Sequence, residues 1–144
     1  MRNQDGPIGD ILTHIVPDDD GARLLLSAVR RMGVAGIQDA HAAHGLIGAF
    51  GLSYRRPLVL TRALVAELSR ISTRSILIAP LSCVRMTAAE SVLLGAVGVA
   101  CDTPHAAHDM LCRLSGVSTC LGLLSSAQAV AQAFADLGRP IRMT

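Results

Sequence analysis

Lysine is missing from this 144-residue sequence, and so is tryptophan. All thirteen basic residues are arginine, so neither a Schiff-base lysine nor a phosphate-binding P-loop lysine can be assembled. The aromatic residues are Phe50, Tyr54 and Phe134, too few for a base-stacking or sugar-stacking platform. Glutamate occurs only at Glu67 and Glu90, which leaves paired-carboxylate acid–base chemistry without candidates, and enzyme function is not the favoured expectation. No Cys-x-x-Cys is present, which removes the zinc-ribbon and thioredoxin patterns. The longest uncharged stretch, residues 114–135, is interrupted by Ser115, Gly116, Ser118, Thr119, Gly122, Ser125, Ser126, Gln128 and Gln132. A membrane-spanning helix needs about 20 mostly apolar residues, so this stretch reads as a turn followed by a helix in water, and no transmembrane segment is expected. The net charge of +2 makes no electrostatic case for nucleic acid.

What is present is apolar: 51% of the residues are hydrophobic and 17% charged, in a length that suits one core. Residues 1–18, with Pro7, Pro17 and several aspartates, read as a flexible N-terminal arm, and residues 19–144 as a single helical domain. Residues 3–10 read Asn-Gln-Asp-Gly-Pro-Ile-Gly-Asp, unlike the apolar core of a secretory signal, and a cytoplasmic location is expected. Cys83, Cys101, Cys112 and Cys120 are accordingly expected as reduced thiols.

The periodicity predicts an all-α bundle of five or six short helices. Asp20 suits the cap of a first helix through Leu24–Met32, with Gly33 just past its end. A second helix fits residues 38–50, and a third runs from Pro57 to about Ile71. Residues 75–80, Ser-Ile-Leu-Ile-Ala-Pro, have β character but stand alone, and read as a buried extended link. Thr87-Ala88-Ala89-Glu90 is a capping box opening a fourth helix to about Ala100. Thr103-Pro104 opens a fifth to about Leu114, with Gly116 beyond it. A sixth begins near Ser126, carries Ala127, Val130, Phe134 and Leu137 on one face, and stops at Gly138 and Pro140.

Chemistry concentrates in a repeated tetrapeptide. His-Ala-Ala-His occurs as His41–His44 and again as His105–His108, each on a predicted helix, where the i, i+3 spacing sets the two rings about 60° apart on one surface. With His105 at the origin, His108 lies near 300° and Cys112 near 340°, opposite a stripe of Ala107, Leu111 and Leu114 centred about 200°. Imidazole and thiol on one face suit a transition metal or, with a flat groove, haem. His41, His44, His105, His108 and Cys112 are the candidate ligands. Surface or packing histidines are the commoner outcome of such a repeat, since the nearby carboxylates are only Asp39, Asp102 and Asp109. Cys101 continues the second face backward, but Pro104 falls between.

Two weaker constellations remain. Arg55, Arg56 and Arg85 lie near predicted helix starts and are candidates for anion binding, against a plain solvated rim. Cys83, two residues from Arg85 and just ahead of a helix start, is a candidate reactive thiol without an identifiable base. Residues 90–113 have a helix-turn-helix look, yet the second helix offers Asp102, His105 and Asp109 and carries its one arginine at Arg113, so nucleic acid is not favoured.

The run Arg30-Arg31-Met32-Gly33, Gly36 and Asp39-Ala40-His41-Ala42-Ala43 resembles a family of small uncharacterised proteins from sphingomonad-type alphaproteobacteria. Arg55-Arg56-Pro57-Leu58, Arg62-Ala63, Ile78-Ala79-Pro80, Cys83 and Arg85-Met86-Thr87 with Glu90 extend the likeness over most of the chain from about Asp20. The resemblance implies one structural unit and no activity. So apolar a small chain has more greasy surface than one core hides, and the first functional expectation is a binding or regulatory module that self-associates or docks a protein partner. Metal or haem binding through the histidine faces, and thiol chemistry at Cys83, are the alternatives.

Overall fold

A computed structural model describes Leu12 and residues 14–143. Among them are six α-helices: α1 (Asp20–Ala35), α2 (Ala40–Phe50), α3 (Arg55–Ile71), α4 (Ala88–Val99), α5 (Pro104–Ser115) and α6 (Leu121–Asp136). The all-α expectation holds, and the additions among the described residues are a 3₁₀ turn at Gly51–Ser53 and a two-residue antiparallel pairing of β1 (His14–Ile15) with β2 (Arg85–Met86). Leu12 and residues 14–18 are the described part of the segment read as an arm, and there His14 stands opposite Met86.

Local chemistry explains most of the helix ends. Asp19, not Asp20, caps α1 by accepting from the Ala22 N–H at 2.9 Å, and Asp39 caps α2 through Ala42 in the same way. Gly33 lies inside α1, facing Ile78, and Gly36 with its positive φ ends the helix instead. The capping box at Thr87 and Glu90 forms in full. Helix α6 starts at Leu121, five residues before the Ser126 that its periodicity suggested.

α6 lies along α3, α4 pairs with α5, and α1 contacts α2, α3 and α4. The core is aliphatic, built on Leu25, Leu46, Leu64, Leu93, Leu111, Leu123 and Val130, with Phe134 as its one fully buried ring, edge-on to Phe50 at 5.2 Å. A Cβ on Gly122 of α6 would stand 2.8 Å from the Glu67 carboxylate of α3, the free end of a flexible side chain that can swing aside.

Helix α4 and the segment ahead of it are organised by a buried ion pair. Arg30 of α1 is 3% exposed and Glu90 1% exposed. Arg30 Nε and Nη2 donate to the two Glu90 carboxylate oxygens at 2.8 and 3.0 Å. The same guanidinium donates to the Cys83 carbonyl at 2.8 Å and the Arg85 carbonyl at 2.9 Å, while Glu90 also accepts from the Ala79 and Thr87 backbone N–H groups. Every polar edge of the pair is thereby satisfied, which is the condition under which two charges tolerate burial. The link at residues 75–80 is irregular and only one-sided: Ala79 is buried and Ile76 and Ile78 half-buried, whereas Leu77 and Pro80 are exposed. Glu90 accepts from the Ala79 N–H and the Thr87 hydroxyl donates to the Leu77 carbonyl at 2.7 Å, so the link is held without a sheet partner.

Candidate metal centre

Helix α5 starts at Pro104, and its wheel is the one read from the sequence: Ala107, Leu111 and Leu114 are buried, while His108 and Cys112 lie half-buried on another side. His105 is exposed. At the other end Gly116 adopts φ +78°, and its N–H and that of Val117 both donate to the Cys112 carbonyl, at 2.8 and 3.2 Å. This left-handed cap turns the chain back along the last turns of α5. A Cβ on Gly116 would run into the Thr73 hydroxyl, which itself donates to the Ser115 and Gly116 carbonyls. Thr73, in the segment after α3, thus clamps the reversal in place.

The reversal delivers Cys120, the residue just before α6, onto His108 and Cys112. Cys112 Sγ lies 3.3 Å from Cys120 Sγ and 3.5 Å from His108 Nε2, and the Cys120 backbone N–H donates to that same Nε2 at 3.1 Å. The Nε2 lone pair is therefore taken by the Cys120 amide, and Cys112 Sγ, 3.7 Å from Nδ1 as well, lies over the ring, so a cation bound at Nε2 would have to displace that N–H. One donor atom from each of His108, Cys112 and Cys120 falls within 4.8 Å of the others. Burial, and then the hydrogen bond with Cys112, push the Cys120 thiol up to about 12, so a cation entering here would have to displace its proton.

These separations can be compared with what a cation requires. Thiolate sulfurs at about 2.3 Å and an imidazole nitrogen at about 2.0–2.1 Å from tetrahedral zinc stand about 3.5 Å apart for sulfur to nitrogen and about 3.8 Å for sulfur to sulfur. The Cys112–His108 distance already matches, and the two sulfurs need to part by roughly half an ångström. Three protein donors leave one tetrahedral position for water or an outside ligand.

Of the residues singled out in the sequence, the structure joins His108 to Cys112 and adds Cys120. His41 and His44 are exposed on α2, and with His105 they belong to no other group of three or more potential ligands among the described residues. Cys101 is exposed, 3.6 Å from the Gln128 carbonyl, with burial and then Asp102 raising its thiol above the usual range. Cys83 is half-buried at the edge of a cavity of about 420 Å³ that Arg23, Ser27 and Arg30 also line. Arg56 pairs with Asp136 of α6 at 2.8 Å, and Arg55 and Arg85 are exposed.

Fold and site together define a small helical domain with an imidazole and two thiols gathered at one helix end. The chain belongs to a family of unknown function, DUF6628, whose model matches residues 10–138. No curated protein and no solved structure matches it. No helix among the described residues is long and apolar enough to cross a membrane.

Proposed function

We propose that the protein is a metal-binding helical module in which His108, Cys112 and Cys120 hold one thiophilic cation, Zn²⁺ or Cu⁺. The observation that carries this reading is the convergence of two thiols and an imidazole, from positions separated by four and eight residues, at spacings close to those of a tetrahedral site. Two sulfurs select against Mg²⁺ and Ca²⁺, which take oxygen ligands. The reading places the protein where thiols stay reduced, as in cytoplasm, and all four cysteines are free. Its test is competition of the reduced protein with a chromophoric chelator for Zn²⁺. One equivalent withdrawn per chain supports the site, as does loss of that uptake in Cys112→Ser and Cys120→Ser with retention in His41→Ala. Uptake indifferent to Cys112 and Cys120 overturns it.

A second reading, self-association, draws on a different observation. Ile15 in β1 is 74% exposed and Val84, just ahead of β2, is 82% exposed, apolar surface that a second copy would cover. Light scattering at micromolar concentration is expected to give a mass above the monomer. A clean monomer refutes it.

A further inference from the structure

We propose that Cys112 and Cys120 are also a reversible dithiol–disulfide pair, so that oxidation closes the site to metal and reduction reopens it. This inference rests on the metal-binding reading for its consequence, and on independent geometry for its chemistry. The two sulfurs sit 3.3 Å apart, between the about 3.8 Å of a pair bridged by zinc and the about 2.05 Å of a disulfide bond. The two states exclude one another, because the sulfurs of a disulfide no longer carry the thiolate charge that binds a cation. Cys120 sits in the reversal rather than in the middle of a helix, so its sulfur can move without breaking a regular backbone ladder.

Access orders the steps. Cys112 is half-buried and Cys120 only 5% exposed, so an oxidant meets Cys112 first. With a small-molecule disulfide of the glutathione class, the Cys112 thiol loses its proton to water and attacks one oxidant sulfur. A mixed disulfide forms and one small thiolate leaves, taking that proton. Cys120, already in contact with Cys112, then attacks Cys112 Sγ, loses its proton and expels the second small thiolate, which is protonated in turn. Two protein thiols and one small disulfide become one protein disulfide and two small thiols. His108 alone then remains of the three donors, too few to retain a cation. Cys83 and Cys101 belong to no such cluster among the described residues, so the link is expected at this pair alone.

The experiment uses the unmodified full chain. Metal-free reduced protein is treated with glutathione disulfide, digested and mapped by mass spectrometry, and its uptake of Zn²⁺ is measured before oxidation, after it, and after treatment with a thiol reductant. The expected result is a Cys112–Cys120 cross-link with the loss of two hydrogens, abolished Zn²⁺ uptake, and recovery on reduction. Preloading with Zn²⁺ is expected to slow cross-linking at least about tenfold, because the attacking sulfur is occupied. Stoichiometric Zn²⁺ uptake by the reduced protein without a Cys112–Cys120 link overturns the switch and leaves the metal site standing. A link that forms without changing Zn²⁺ uptake overturns both. A reduced protein that takes up no Zn²⁺ overturns the metal reading and, with it, the gating.

Discussion

Replacing Glu90 by glutamine preserves its shape while deleting its charge, and so isolates the buried ion pair that fastens residues 79–87 to helix α1. The carboxylate accepts from Arg30 Nε at 2.8 Å, Arg30 Nη2 at 3.0 Å, Thr87 N at 3.0 Å and Ala79 N at 3.2 Å. An amide leaves the guanidinium buried and uncompensated, a loss of about 3–5 kcal/mol. Its NH₂ end cannot accept, so at least one of those donors is also left without a partner, which places the expectation toward the upper end of the range. Against a total stability of roughly 5–15 kcal/mol, about 4 kcal/mol is a large fraction. With a urea slope of about 2 kcal/mol/M, the unfolding midpoint is expected to fall by about 2 M. Far-ultraviolet circular dichroism is the suitable probe, because the chain has no tryptophan and one tyrosine. A double variant, Arg30→Met with Glu90→Leu, removes both charges and is expected to lose less than the sum of the single changes. It stays below wild type, because the Cys83 and Arg85 carbonyls lose their donor. A midpoint shift under about 0.5 M for Glu90→Gln, or strict additivity in the double variant, refutes the reasoning.

Three further outcomes can be checked with the same equipment. Thr61 is fully buried and its hydroxyl has no hydrogen-bond partner among the described residues, so Thr61→Val is expected to be neutral or to raise the melting temperature, whereas a destabilisation above about 1 kcal/mol speaks against an orphaned hydroxyl. Gly116→Ala meets both a positive φ and the Thr73 hydroxyl; it is expected to cost about 1–3 kcal/mol in a thermal melt and to weaken Zn²⁺ uptake by displacing Cys120. The hydrogen bond from Arg56, and then that from Gln132, hold the Asp136 carboxyl below the usual range. A depressed folded-state value adds stability above the unfolded value of about 3.9 that is lost as pH falls through the folded one, so Asp136→Asn is expected to lower stability slightly at neutral pH and to converge with wild type in acid, which flattens the acid limb of the stability curve.

Much of the fold was legible because its determinants are local. The capping box at Thr87 and Glu90, the Thr103-Pro104 start and the Gly116 stop each encode a helix end within four residues of sequence. What escaped depends on residues far apart in the chain. Glu90 could be read as a cap, but not as the partner of an arginine 60 positions away. Gly122 and Ser125 look like a turn, and the start of α6 was accordingly expected too late. Gly122 is instead a residue of the first turn of α6. The same misplacement hid Cys120, since its value to the site comes from standing between a left-handed reversal and the true start of α6. The face carrying His108 and Cys112 was visible by helical spacing. The repetition of His-Ala-Ala-His drew attention to His41, His44 and His105, which share the tetrapeptide but not a neighbouring thiol pair.

X-ray absorption on the zinc-loaded protein tests the imidazole–dithiol centre most directly. The expected first shell has two sulfurs at about 2.3 Å and an imidazole nitrogen at about 2.0–2.1 Å, with one further light atom. The sulfur contribution is expected to be halved in Cys120→Ser. A shell of nitrogen and oxygen alone, or one unchanged by that substitution, contradicts a site built from His108, Cys112 and Cys120.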